Sequence, residues 1–290
     1  MSDLFKFTVV DDAGNNRFRL PPFITQDVLD DVSNKFYIND DDIIITTYPR
    51  SGTTWMQQIV HLLLNKGVQG ERHLEICIPY IERAAALKGI DIFSTMEGRR
   101  AFKTHLPFTS DLYRKNSKAK FIYVVRNPMD CAVSNYFFYL NNYKITFHGN
   151  WDDFYNLFVN GDLFYGSWFD HVSEWWEKSK IKDNILFIKY EDIHLDLSNI
   201  INRIADFIDI TLTEDILNQI VSKTSFDYMK KDSKTNLSWG AWKKNSTESP
   251  LRKGTVGDWK TLFNPKQIDI LKNEYNKKIK KIGLELNFMY

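Results

Sequence analysis

Ile43-Ile-Ile-Thr-Thr-Tyr-Pro-Arg-Ser-Gly-Thr-Thr-Trp-Met-Gln-Gln-Ile-Val-His-Leu-Leu-Leu-Asn65 carries two different periodicities with a break between them. Its first five residues are all β-branched, the pattern of a strand buried on both faces. From Thr54 to Asn65, apolar Trp55, Ile59, Leu62 and Leu63 recur at helical spacing. Between the two lies a turn rich in small residues that closes directly onto the helix. Such a turn presents free backbone N–H groups and the positive end of the helix dipole, which makes it an anion site. Gly52 lets the backbone approach a ligand, the hydroxyls of Ser51, Thr53 and Thr54 can donate to phosphate oxygens, and Arg50 adds a fixed positive charge.

Outward from this segment, short β-branched runs alternate with longer helical patterns. Ala101–Thr104, Phe121–Val125 and Ile185–Tyr190 read as further strands, and the segments 129–140, 168–180, 198–208 and 214–222 read as helices. Such alternation predicts an α/β fold, a central mainly parallel sheet flanked by helices on both faces. Ligands in that architecture sit beyond the carboxyl ends of the strands, so the residues after Thr47 and Val125 are the places to look. With no internal repeat and no long linker, 1–290 reads as one domain. Residues 1–39 form an N-terminal segment, 40–262 the core, and 263–290 a C-terminal helix whose Lys277–Lys281 stretch is a solvated face.

Composition narrows the function. With 38 Lys/Arg against 37 Asp/Glu, the formal charge is +1, which argues against a nucleic-acid binder held by a broad basic field. With 43% apolar residues the chain can fill a core and is not disordered. Two cysteines, Cys77 and Cys131, make no disulfide framework and suit a reducing compartment. No secretory signal is visible at Met1 onward, no run of about 18 apolar residues would span a membrane, and the last residues 287–290 match no lipidation signal. The expectation is a soluble cytoplasmic protein.

The nearest competitor for the 48–55 loop is a triphosphate P-loop, G-x-x-x-x-G-K-[S/T]. Here the leading Gly is missing, and Thr53 follows Gly52 where Lys would stand. A triphosphate enzyme also needs a carboxylate for magnesium, yet the strand Phe121–Val125 ends in Arg126-Asn127-Pro128. A second cation at a strand end suggests a second phosphate rather than a metal. None of the six His pairs with another at metal-ligand spacing, so His61, His73, His148, His171 and His194 read as surface or packing residues, and no metal is expected.

The loop Tyr48-Pro-Arg-Ser-Gly-Thr-Thr-Trp55 resembles the signature loop of the cytosolic sulfotransferases, which use 3'-phosphoadenosine 5'-phosphosulfate (PAPS) and release 3'-phosphoadenosine 5'-phosphate (PAP). Other family-like stretches follow in order: Phe102-Lys-Thr-His-Leu-Pro107; Tyr123-Val-Val-Arg-Asn-Pro-Met-Asp130 with Ala132-Val-Ser134; Tyr165-Gly-Ser-Trp168 with Glu174-Trp-Trp176; Tyr190-Glu-Asp192; Thr224-Ser-Phe226; and Arg252-Lys-Gly-Thr-Val-Gly-Asp-Trp-Lys260. The resemblance implies that Ser51, Gly52, Thr53 and Thr54 hold the 5'-phosphate. It assigns Arg126, Ser134, Arg252, Lys253 and Gly254 to the 3'-phosphate, where guanidinium forks suit phosphate, and counts Leu251 and Arg50 among the other cofactor-binding residues. Trp55 and Phe226 would clamp the adenine, with Tyr190 and Thr224 nearby. His105 would be the general base, since an imidazole accepts a proton at neutral pH. Lys103, Arg50 and Ser134 would complete the catalytic set. As in phosphoryl transfer, catalysis would be in-line positioning plus charge stabilisation, without a metal.

This chain departs from the family pattern in two places. The family usually has Lys where Arg50 stands; Arg stabilises charge on a departing oxygen but does not give up a proton, which makes Lys103 the more important ammonium. Near the C-terminus the family's dimer motif K-x-x-x-T-V-x-x-x-E is replaced by a stretch with Asn264, Pro265 and Asp269, so a monomer or weak homodimer is expected. Phe23, Tyr80, Arg83 and Phe138, together with Lys103 and His105, would approach a small acceptor. Rings there suit a phenol, alcohol, steroid or amine, while Arg83 either favours an acidic acceptor or points to solvent. Golgi carbohydrate sulfotransferases carry a membrane anchor that is not visible here. A P-loop kinase and a catalytically silent relative are the alternatives.

Overall fold

A computed structural model describes residues 4–11, 17–109, 111–113, 118–236 and 251–286. Two short strands, β1 (Thr8–Asp11) and β2 (Arg17–Leu20), pair antiparallel. The central sheet contains β3 (Ile43–Thr47), β4 (Ala101–Thr104), β5 (Lys120–Val125) and β6 (Ile185–Lys189) in the order β4-β3-β5-β6, all parallel. The helices run, in order, α1 (Gln26–Lys35), α2 (Thr53–Leu64), α3 (Leu74–Cys77), α4 (Ile81–Lys88), α5 (Pro128–Asn141), α6 (Trp151–Asn160), α7 (Trp168–Ser179), α8 (Tyr190–Leu195), α9 (Leu197–Phe207), α10 (Glu214–Lys223), α11 (Phe226–Lys231) and α12 (Pro265–Lys278).

The parallel α/β sheet expected from the alternation is present, and the period-2 burial of its strands explains the two layers of core. Ile44, Phe102, Tyr123 and Val125 face one side, against Phe154, Phe158, Trp168 and Trp175 of α6 and α7. Ile43, Ile45, Ile122 and Val124 face the other, against Ile59 and Leu62 of α2 and Ile200, Ile201 and Ile204 of α9. The high aromatic content thus concentrates in one layer. Each fully buried large side chain contributes about 1.5–3 kcal/mol.

Apart from shifts of one residue, three boundaries differ from the sequence reading, and β1, β2, α1, α3, α4, α6, α8 and α11 were not foreseen. The fourth strand ends at Lys189, and Tyr190 opens α8. The C-terminal helix is shorter than 263–290: α12 ends at Lys278, a 3-10 turn follows at Lys280–Ile282, and residues 287–290 lie outside the described residues. Asn264 and Pro265, read as a degraded dimer motif, start α12: the Asn264 side chain accepts from Gln267 N, Gln267 returns the bond, and Pro265 takes the first helical position, where its missing N–H costs nothing.

Three tertiary ties set the geometry of the ligand cavity. Arg19 donates to the Asp162 carbonyl and pairs with its carboxylate at 2.8 Å, while Tyr165 N donates to Arg19 O at 2.9 Å. These contacts hold the N-terminal segment, and with it Phe23, against the 162–165 turn. Lys103 N donates to Pro79 O at 3.0 Å, which extends the sheet edge and sets Tyr80 beside Lys103. Asp130 of α5 accepts from Gly257 N at 2.7 Å and Trp259 N at 2.9 Å, pinning the segment that follows Leu251.

Candidate active site

A cavity of about 630 Å³ opens at the carboxyl ends of β3, β4 and β5, a size suited to small-molecule sites. Its lining includes Phe23, Arg50, Gly52, Thr53, Thr54, Trp55, Tyr80, Arg83, Lys103, His105, Arg126, Ser134, Phe138, Tyr190, Thr224, Phe226, Leu251, Arg252, Lys253 and Gly254. Of the residues singled out from the sequence, only Ser51 lies elsewhere. Its side chain is buried below the loop with its hydroxyl 3.8 Å from Cys131 Sγ, so the expected phosphate contact through that hydroxyl is not supported. The Thr53 hydroxyl is likewise engaged, 2.7 Å from Thr47 Oγ1.

The loop's shape follows from two left-handed residues. Arg50 has φ 72 and Gly52 φ 99. A Cβ on Gly52 would come within 2.6 Å of the Tyr190 ring, so only Gly fits. Gly52 caps α2 without a side-chain bond to its first N–H groups. The second helix at this end of the sheet differs: Asn127 caps α5 and accepts from Met129 N at 2.9 Å. The free N–H groups the turn was expected to offer are those of α2.

Several cations converge on the cavity. Arg126 stacks 4.4 Å over Tyr190 and donates to Arg50 O at 3.3 Å and Thr255 O at 3.0 Å. Among the described residues no carboxylate lies within ion-pair distance of it, and its Nε is buried without a partner. Arg50 Nε donates to Ser134 Oγ at 3.2 Å, and its guanidinium sits 5.2 Å over Phe138. Burial first, then the Arg126 and Arg252 charges, pull Arg50 down to about 10, which leaves it cationic at neutral pH. Arg252 and Lys253 share Asp258. Burial raises that carboxyl, but the hydrogen bonds from Lys253 and Arg252 outweigh it and hold Asp258 below its usual range. A Cβ on Gly254 would collide with the Phe226 ring, so this glycine lets the basic segment close on that ring.

His105 follows β4 directly. Its Nδ1 lies 2.8 Å from the Thr47 carbonyl, which can only accept, so Nδ1 carries the proton and Nε2 keeps its lone pair. The backbone N–H of His105 donates to Glu82 Oε1 at 3.2 Å, and the Thr104 hydroxyl donates to the same oxygen at 3.0 Å. Burial lifts Glu82 to about 7. The His105 imidazole is not the unperturbed group expected from the sequence. Burial drives it down to about 3; the Thr47 hydrogen bond opposes that, and the Lys103, His171 and Arg50 charges add to it. Tyr80 and Tyr165 join their hydroxyls beside it, with ring centroids 5.3 and 5.5 Å from the imidazole.

Sequence reasoning missed three residues. His194, read as surface or packing, lines the cavity 4.8 Å from the Trp55 ring. His171 is buried as expected, but its Nε2 donates to the His105 carbonyl at 3.0 Å, so it braces the candidate base. Glu75 lines the cavity and holds Lys103. The Tyr190-Glu-Asp192 spacing could have pointed to His194, one turn on; nothing local pointed to Glu75.

Residues 40–283 match the family model described as a sulfotransferase domain. The chain belongs to the sulfotransferase family. It is 37% identical to Sulfotransferase 1B1 of Mus musculus over 262 residues, which cover 87% of each chain. It is also 37% identical to Sulfotransferase 1C2 of Homo sapiens over 268 residues, again 87% of each. Mouse sulfotransferase SULT7A1, solved in complex with PAP, superposes with a TM-score of 0.76 at 29% identity, covering 94% of this chain and 95% of that one. Retinol dehydratase, solved with androsterone and inactive cofactor PAP, shares the fold with a TM-score of 0.84 at 23% identity over 99% of this chain and 93% of that one. This chain is accordingly a PAPS-dependent sulfotransferase, and all seven family-like stretches fall inside the matched region. Among the described residues, no helix is long and apolar enough to cross a membrane.

Proposed function

We propose that this enzyme moves the sulfuryl group of PAPS to a hydroxyl or amine of a small, mostly apolar acceptor, with His105 as general base, in the cytoplasm and without a metal. The observation that carries the reading is the single cavity in which the α2 loop, the basic segment after Leu251, His105 and the rings Phe23, Tyr80 and Phe138 meet. The residues present fit a nucleotide with two phosphates: the start of α2 at Gly52, with no side-chain cap, suits one, Arg126, with no carboxylate within ion-pair distance among the described residues, suits the other, and the Trp55 Nε1 donor is buried without a partner among those same residues. When bound, PAPS supplies the sulfuryl group and a phosphate leaving group.

The chain's own part is the one the resemblance implies, and the shared cavity supports it. Gly52, Thr53 and Thr54 hold the 5'-phosphate and Arg126, Ser134, Arg252, Lys253 and Gly254 the 3'-phosphate, while Leu251, Tyr190 and Thr224 line the base site between Trp55 and Phe226. His105 Nε2 takes the acceptor proton, with Nδ1–H anchored on Thr47 so that the ring presents its basic atom. Arg50 and Lys103 meet the charge that develops on the leaving side. Arg83, whose Nη1 lies 4.0 Å from Glu75, lines the acceptor end with its side chain 32% exposed. A screen of phenols, alcohols, steroids and amines with sulfur-labelled PAPS tests the reading; a chain that instead turns over ATP with magnesium would be the kinase.

The His105 shift sets the pH dependence. Its folded pKa is depressed, so the neutral base form predominates at every pH above about 3. kcat/KM for PAPS is therefore expected to stay level as the pH falls from about 8 to about 5, and a bend near 6.5 would contradict a buried neutral imidazole. The helix start at Asn264-Pro265 leaves no copy of the family's dimer motif, and light scattering at micromolar concentration is expected to give the mass of one chain. A stable dimer mass would refute this.

A further inference from the structure

Lys103 does not stand alone on the cavity wall. Its Nζ is ion-paired to Glu75 Oε1 and donates to Gln57 Oε1 at 3.3 Å. Gln57 Nε2 donates to the same carboxylate oxygen at 3.3 Å and to the Ile78 carbonyl at 2.8 Å. The two charged side chains are nearly buried, 9% and 8% exposed. Arg83 Nη1 approaches the other Glu75 oxygen at 4.0 Å. Gln57 comes from α2, the helix that starts at the anion loop, Glu75 from α3 and Lys103 from β4, so three elements converge on one ammonium two residues from His105. A buried pair of this kind is a poor way to gain stability, because an apolar pair of similar volume does as well or better. Its place on the cavity wall suits the placing of a charge.

We infer that Glu75 is a positioning residue for sulfuryl transfer: with Gln57 it fixes the Lys103 ammonium beside the reaction centre, and its own negative charge tempers the cavity's hold on anions. The inference rests on the sulfuryl-transfer reading above. Two effects of opposite sign follow. Glu75→Gln keeps the shape but frees Lys103, so kcat falls; it also makes the cavity one charge more positive, so PAP binds more tightly. A general loosening of the fold would weaken both. Glu75→Asp keeps the charge and shortens the reach by one methylene, so kcat falls while PAP affinity stays put.

The test measures kcat with PAPS and a responsive phenol, and PAP affinity by calorimetry, for wild type, Glu75→Gln, Glu75→Asp, Lys103→Ala and the Glu75→Gln/Lys103→Ala double variant. Glu75→Gln is expected to lose about tenfold in kcat and to bind PAP several-fold more tightly. In the Lys103→Ala background it is expected to cost almost nothing further, because the two residues act as one unit. Should Glu75→Gln fail to fold, Glu75→Asp decides by the same split. An unchanged kcat, PAP affinity falling in step with kcat, or a full further loss in the double variant overturns the inference. A wild type that binds PAP but sulfates no acceptor overturns the sulfuryl-transfer reading and the role of Glu75 with it.

Discussion

His105→Ala is expected to lower turnover about a thousandfold while leaving PAP affinity within about twofold of wild type. The split follows from where the imidazole sits. Its Nδ1–H is spent on the Thr47 carbonyl, while Glu82 and His171 hold its backbone N–H and carbonyl, so the residue is anchored at three points with Nε2 as the ring's one basic atom. A base kept neutral by burial is always in the competent form, so its removal takes away the full contribution of proton transfer rather than a fraction of it. The α2 loop and the basic segment are untouched by the change, which is why product binding should persist. Paired turnover and calorimetric measurements check this. A variant within about fivefold of wild type in kcat would remove His105 from the mechanism.

The second large effect is on binding. Arg126→Ala is expected to weaken PAP about a hundredfold, from two charge-assisted contacts of about 1.5 kcal/mol each. Among the described residues no carboxylate lies within ion-pair distance of Arg126, though the buried Glu191 carboxyl feels its charge, and its Nη groups donate to the Arg50 and Thr255 carbonyls, so no ion pair has to be broken for it to meet a phosphate. Arg252 differs: it is paired to Asp258 and must share or leave that partner. Arg252→Ala is therefore expected to cost less than Arg126→Ala. Equal losses from the two variants would mean that the Asp258 pair does not discount Arg252.

The donor side was legible in the sequence because it is local. A buried strand, a turn with Gly52 and a helix carry one anion site in thirteen consecutive residues, 43–55, and Arg126 sits at the next strand's end by the same rule. What remained hidden is built from distant pairs. The Glu75–Lys103 ion pair joins a four-residue helix to a sheet edge, and Asp130 of α5 accepts from Gly257 N and Trp259 N, far along the chain. The depression of His105 was also invisible, because burial is a property of the packed layers and not of the Lys-Thr-His spacing. Ser51 was equally hard to place from the sequence: its hydroxyl, of suitable type and position in the loop, turns inward to within 3.8 Å of Cys131 Sγ, a neighbour from α5.

Incubation of the wild-type chain with sulfur-labelled PAPS and a panel of phenols, alcohols, steroids and amines decides whether this chain transfers the sulfuryl group. Label is expected on at least one acceptor, with one PAP released per label transferred, and both are expected to be lost in His105→Ala. Tight PAP binding with the labelled donor left intact across the whole panel would contradict it.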